Sequence, residues 1–115
     1  MPPTSASFAD VDVDAGRARG RVRPERALAA CDGHFPDDPI VPGAALVGLM
    51  TELAASVVDH GELAGIGSCT FRRRVHPNTT ITVVAERTDS THVEARVETD
   101  GLLAATAHLR YRPSR

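Results

Sequence analysis

A histidine in a stiff loop, followed nine residues later by a glycine at the mouth of an apolar helix, is the arrangement in this chain best suited to chemistry. The segment reads Gly33-His34-Phe35-Pro36-Asp37-Asp38-Pro39-Ile40-Val41-Pro42-Gly43. Histidine is the side chain whose ordinary pKa lies near neutrality, so His34 can accept or return a proton. The first turn of a helix presents backbone N–H groups without intrahelical acceptors, at the positive end of the helix dipole. Gly43 in that turn lets a carbonyl come close to the backbone, and its N–H can stabilise an enolate-like oxygen. Base plus oxyanion donor is what proton abstraction beside a thioester carbonyl requires. Asp37 and Asp38 could tune the histidine or simply make the turn.

The elements that must hold these groups follow from periodicity. Phe8 to Val13 alternates, Ala15-Gly16 reads as a turn, and Arg17 to Arg23 alternates again, which predicts a first hairpin. Cys31 to Pro42 is a loop in which Pro36, Pro39 and Pro42 fix φ and remove donors. From Gly43 to His60 the apolar residues Leu46, Leu49, Met50, Leu53, Val57 and Val58 fall at helical spacing. Pro42 suits the first helical position and Gly61 the stop. The helix is apolar round much of its circumference, which predicts burial. Strands are then expected over Gly65–Val75, Thr79–Arg87, His92–Thr99 and Leu102–Arg112, with turns at Pro77-Asn78, Asp89-Ser90 and Asp100-Gly101. The order ββ-α-ββββ predicts an α+β domain: one antiparallel sheet of about six strands, a meander, wrapped round a central buried helix. Residues 1–6 are expected to be disordered, 7–112 to form the single domain, and 113–115 a tail.

Composition narrows the function classes. A chain of 115 residues, 42% hydrophobic and 24% charged, suits one globular domain. With three Phe, one Tyr and no Trp it lacks the aromatics of a base-stacking surface, and a net charge of −2 gives no field for nucleic acid or membrane. All 13 basic residues are Arg, which excludes a Schiff-base lysine. Cys31 and Cys69 have no disulfide or metal spacing and read as reduced thiols. His60, His76, His92 and His108 show no ligand spacing, so no metal is expected. There is no secretory signal and no apolar run long enough to span a membrane, so the expected location is cytoplasmic.

The string His-Phe-Pro-x-x-Pro-Ile-x-Pro-Gly resembles the signature of the bacterial β-hydroxyacyl-acyl-carrier-protein dehydratases of the FabZ/FabA type. Phe71-Arg72-Arg73-Arg74-Val75-His76-Pro77 is similar to that family's segment after the helix, and Val93 to Tyr111 to its last hairpin. The resemblance implies a hotdog fold, paired edge to edge with a second hotdog chain, as homodimer or heterodimer, with two active sites at the interface. It implies that His34 acts on the α-proton and that the Gly43 N–H holds the thioester carbonyl, with Phe35, Pro42 and Gly48 bordering the substrate. The substrate would be a (3R)-hydroxyacyl chain on the phosphopantetheine of an acyl carrier protein, in fatty-acid or polyketide synthesis, with no metal or bound cofactor. Arg72, Arg73 and Arg74 are either a solvated strand end or a docking spot for the acidic carrier; alternation puts Arg72 and Arg74 on one face.

One position departs from the family. Fourteen residues after the histidine the family carries a helix Glu or Asp that helps the hydroxyl leave, and here Gly48 stands there. Losing such a group typically costs about 10²–10⁴ in rate. Three readings follow: a partner chain supplies the acid, Glu52 one turn further on replaces it, or the chain is not itself a dehydratase but a stabilising or acyl-binding subunit, or a hotdog doing thioesterase or isomerase work.

Overall fold

The computed structural model describes residues 7–31, 39–58 and 61–113. His34, Phe35, Asp37, Asp38 and His60 lie outside them, as do residues 1–6. The elements are β1 (Phe8–Asp14), β2 (Arg17–Val22), α1 (Pro24–Ala30), α2 (Gly43–Ala54), β3 (Gly61–Phe71), β4 (Ile81–Arg87), β5 (His92–Thr99) and β6 (Leu102–Pro113).

The first hairpin forms a charge ladder. Asp10, Asp12 and Asp14 of β1 stand opposite Arg21, Arg19 and Arg17 of β2, and Arg21 Nη2 lies 2.6 Å from Asp10 Oδ2. Such exposed pairs are worth about 0–1 kcal/mol each. Their larger effect is on register, because a one-residue slip would turn this charged face toward the core. Two of the hairpin turns place two consecutive residues at positive φ, Ala15-Gly16 and Asp100-Gly101, the geometry that matches strand twist.

The six strands form one antiparallel sheet in the order β1-β2-β4-β5-β6-β3. Only β4-β5-β6 is a meander. Strand β3 lies outside it: β3 pairs with β6 and forms the far edge. Helix α2 packs across β2, β4, β5 and β6. Leu46, Met50, Leu53 and Ala54 turn into the core, meeting Val83, Ala85, Val93, Val97 and Leu109 from the sheet. This is the expected sheet curved round a helix.

Several boundaries differ from the sequence reading. Helix α2 ends at Ala54 rather than His60, because Ser56 and Val57 tighten into turns bonded to Leu53 and Ala54, and Val57 is buried without being helical. Pro42 is the N-cap, with extended ψ of 151°, and Gly61 starts β3 instead of stopping a helix. A short helix, α1, was not expected; Pro24 opens it and Ala27 is its buried residue. Burial of α2 is also one-sided: Ala44, Gly48, Glu52 and Ala55 are exposed.

Candidate functional site

The start of α2 is held by the chain that follows β3. The Val41 N–H donates to the Val75 carbonyl at 2.8 Å, and His76 Nδ1 lies 3.2 Å from the Pro39 carbonyl oxygen. Val41 and Val75 are both buried, so the residues leading into the helix are fixed against the core. Pro42 then lets Ala45 and Leu46 donate back to its carbonyl. The amides of Gly43 and Ala44, in the helix's opening positions, have no intrahelical acceptor and face outward with the positive end of the dipole.

Gly43 borders a cavity of about 440 Å³ whose wall includes Leu46, Phe71 and the run Arg72 to Arg74. The Phe71 ring occupies the space where a Cβ on residue 43 would go, 3.1 Å from Cζ. A side chain at residue 43 would therefore make the half-exposed Phe71 ring give by a few tenths of an ångström. Strand β3 stops at Phe71, so the expected alternation of Arg72 and Arg74 against Arg73 does not apply. All three arginines are exposed and line the same cavity. The run is fastened by its backbone: the Arg72 and Arg73 N–H groups both donate to the Ala104 carbonyl, and Arg73 Nε donates to the Leu103 carbonyl at 2.9 Å.

A second cavity, of about 380 Å³, lies between α1 and α2 and is bordered by Ser7, Ala27, Ala45, Gly48, Leu49 and Glu52. Around a helix, residue 48 lies roughly 140° from residue 43, which is why the two glycines open on different cavities. At Gly48 a Cβ would meet no atom within 4 Å. Position 48 is thus an open gap. Glu52, one turn on, is exposed and accepts a hydrogen bond from Ser7 Oγ at 2.9 Å. The structure therefore gathers Gly43 with the arginines, and Gly48 with Glu52. His34 and Phe35 lie outside the described residues. Sequence reasoning missed Ser7 and the α1 wall; Ser7 sits 45 positions from Glu52, and no local pattern announces the contact.

The cysteines are unsuited to nucleophilic work. Burial pushes both thiols up, and Cys31 donates to the Ala27 carbonyl at 3.3 Å. Among the described residues no cluster of three His, Cys, Asp or Glu could hold a metal, and no helix is long and apolar enough to cross a membrane.

A single antiparallel sheet curled round one central helix defines the hotdog class. Within it, the ApeI-like family, described as ApeI dehydratase, matches residues 10–107, and the chain belongs to it. A 3-hydroxyacyl-[acyl-carrier-protein] dehydratase FabZ of Nitrosospira multiformis is 34% identical over 92 residues, covering 67% of this chain and 63% of that protein. The FabZ of Bacillus cereus is 34% identical over 65 residues, 50% of this chain and 45% of that protein. The chain thus spans about half to two-thirds of the length of these curated relatives. Among solved structures, the dehydratase heterocomplex ApeI:P from Xenorhabdus doucetiae has a chain with a TM-score of 0.77 at 18% identity, covering 96% of this chain and 98% of that one. An (R)-hydratase from A. caviae gives a TM-score of 0.64 at 21% identity, covering 88% and 97%. These likenesses support the hotdog fold, and the relatives point to a dehydratase type of function.

Proposed function

We propose that this chain is a subunit of a dehydratase that removes water from a (3R)-hydroxyacyl thioester, carried on the phosphopantetheine of an acyl carrier protein, to give a trans-2-enoyl thioester. One observation carries the reading. Helix α2 offers its carbonyl-holding position, Gly43, to one cavity and its acid-side positions, Gly48 and Glu52, to another. A complete site then needs the first cavity of one chain and the second of its partner. The exposed edge of the sheet suits that pairing: β3 carries the exposed apolar residues Leu63, Ile66 and Phe71, a surface that solitary sheets avoid.

In the proposed site His34 takes the proton from C2, and that bond's electron pair becomes the C2=C3 double bond. The Gly43 N–H holds the thioester oxygen while charge gathers there. Glu52, as general acid, delivers a proton to the C3 hydroxyl as the C3–O bond breaks, and the oxygen leaves as water. Phe35, Pro42 and the gap at Gly48 border the acyl chain. Arg72, Arg73 and Arg74 steer the acidic carrier protein toward the cavity they line. The balance needs no metal or redox group. Fatty-acid and polyketide synthesis both supply such substrates.

A second reading is favoured by the loss of the acid at Gly48 and by the description of the Xenorhabdus structure as a heterocomplex. Here the chain pairs with a different hotdog protein that carries the acid, which completes the site holding His34. The experiment is a mass assay for loss of one water from 3-hydroxyacyl carrier protein, using the chain alone beside His34→Ala and Glu52→Gln. Turnover that both variants abolish supports the self-sufficient dehydratase. A silent chain that gains His34-dependent turnover when a second hotdog protein is added supports the mixed dimer. Turnover untouched by His34→Ala would sink both.

A further inference from the structure

We infer that Ser7 is a positioning residue for Glu52, holding its carboxyl group at the cavity that Gly48 also borders. This rests on the reading of Glu52 as the acid.

The relocated acid faces two problems of geometry. Position 52 lies roughly 6 Å further along the helix axis than position 48, and a glutamate has three rotatable bonds whose ordering carries an entropy cost. The first is met by the helix itself. Side chains on a helix tilt toward its N-terminus, so Glu52 can lean back toward the preceding turn, where Gly48 is. With no atom within 4 Å of a Cβ on residue 48, nothing obstructs that lean.

Ser7 meets the second. Its Oγ donates to Glu52 Oε1 at 2.9 Å. The serine is itself immobile: it is 4% exposed, its carbonyl accepts the Arg23 N–H at 2.8 Å, and the next residue, Phe8, is 3% exposed at the start of β1. The anchor therefore belongs to the sheet and to the entry of α1, while the acid belongs to α2. Both side chains border the cavity that contains Gly48.

The test compares water loss by wild type, Ser7→Ala, Ser7→Thr, Glu52→Gln and the Ser7→Ala/Glu52→Gln double variant. It is run with the chain as sole hotdog subunit and in the mixed dimer giving the highest turnover. Ser7→Ala is expected to lower kcat about tenfold, the rate equivalent of one hydrogen bond to a charged group. KM should stay within about twofold, the mark of an interaction that matters in the transition state. Ser7→Thr, which keeps the hydroxyl, should recover most of the loss, and Ser7→Ala should cost nothing further once Glu52 is Gln. A Ser7→Ala effect that persists beside Glu52→Gln, or one that appears in the melting temperature and leaves kcat intact, would overturn the inference and leave the acid reading standing. If Glu52→Gln keeps full turnover, or neither preparation turns over, the acid reading falls and Ser7's role falls with it.

Discussion

The ring of Phe71, the last residue of β3, closes over the Cα of Gly43, the first residue of α2, with Cζ and Cε1 at 3.1 and 3.3 Å from where a Cβ would stand. The edge of the sheet and the mouth of the helix are thereby fitted to each other. The helix amide proposed to hold the substrate carbonyl lies beside an aromatic residue whose other side is half exposed.

Gly43→Ala keeps the amide but forces the Phe71 ring to shift. The expected cost is about 1 kcal/mol, the low end for overpacking. Phe71→Leu removes the offending ring atoms, so the double variant should recover most of that loss. A double-mutant cycle from urea unfolding measures the coupling; additive effects would mean the ring yields freely.

Gly48→Ala should act in the opposite direction on stability. The new methyl enters open space, and replacing glycine inside a helix gains about 0.5–1 kcal/mol. Thermal unfolding should show a rise of a few degrees. An unchanged or lower midpoint would show that position 48 is not open in solution.

Tyr111 is buried, and its hydroxyl has no hydrogen-bond partner among the described residues. Burial pushes this phenol up, as it must where the charged form has no company. Tyr111→Phe removes an unsatisfied polar atom without changing shape and should stabilise the chain by about 1 kcal/mol. The urea midpoint should rise with an unchanged slope. A destabilised variant would reveal a partner for that hydroxyl.

The turn between β4 and β5 should be acid-sensitive. The Thr91 N–H, and then the His92 ring, hold the Asp89 carboxyl at about 2, below its ordinary 3.8. A carboxyl lowered by folding contributes stability that is fully present above the unfolded value and is lost as pH falls through the folded one. The melting-temperature gap between wild type and Asp89→Ala should therefore be constant above the 3.8 of the free group and narrow down to about 2. A gap that does not change with pH would assign the effect to turn geometry alone.

What was legible in the sequence was whatever repeats locally. His92–Thr99 alternates strictly and forms β5 with those bounds, and the glycine-bearing turns at residues 15–16 and 100–101 sit where they were expected. Helix α1 was hidden because seven residues with one buried alanine make no periodic pattern. The end of α2 was hidden because Val57 keeps the helical spacing while being buried from a turn. Strand β3 was misplaced because an edge strand with glycines at 61, 65 and 67 and few buried side chains shows little alternation. The Ser7 contact was not legible, since it depends on how the hairpin and helix settle across 45 residues.

Strand β3 is made before β4 and β5, yet its only neighbour in the sheet is β6, residues 102–113. On a ribosome, then, β3 emerges and waits for the synthesis of some thirty further residues before it has a strand to join. During that interval the exposed Leu63, Ile66 and Phe71 and an unpaired backbone edge are open to whatever is nearby. Of the six strands, β3 is the one that waits longest for its first partner, and a neighbouring nascent hotdog chain is among the first surfaces it could meet.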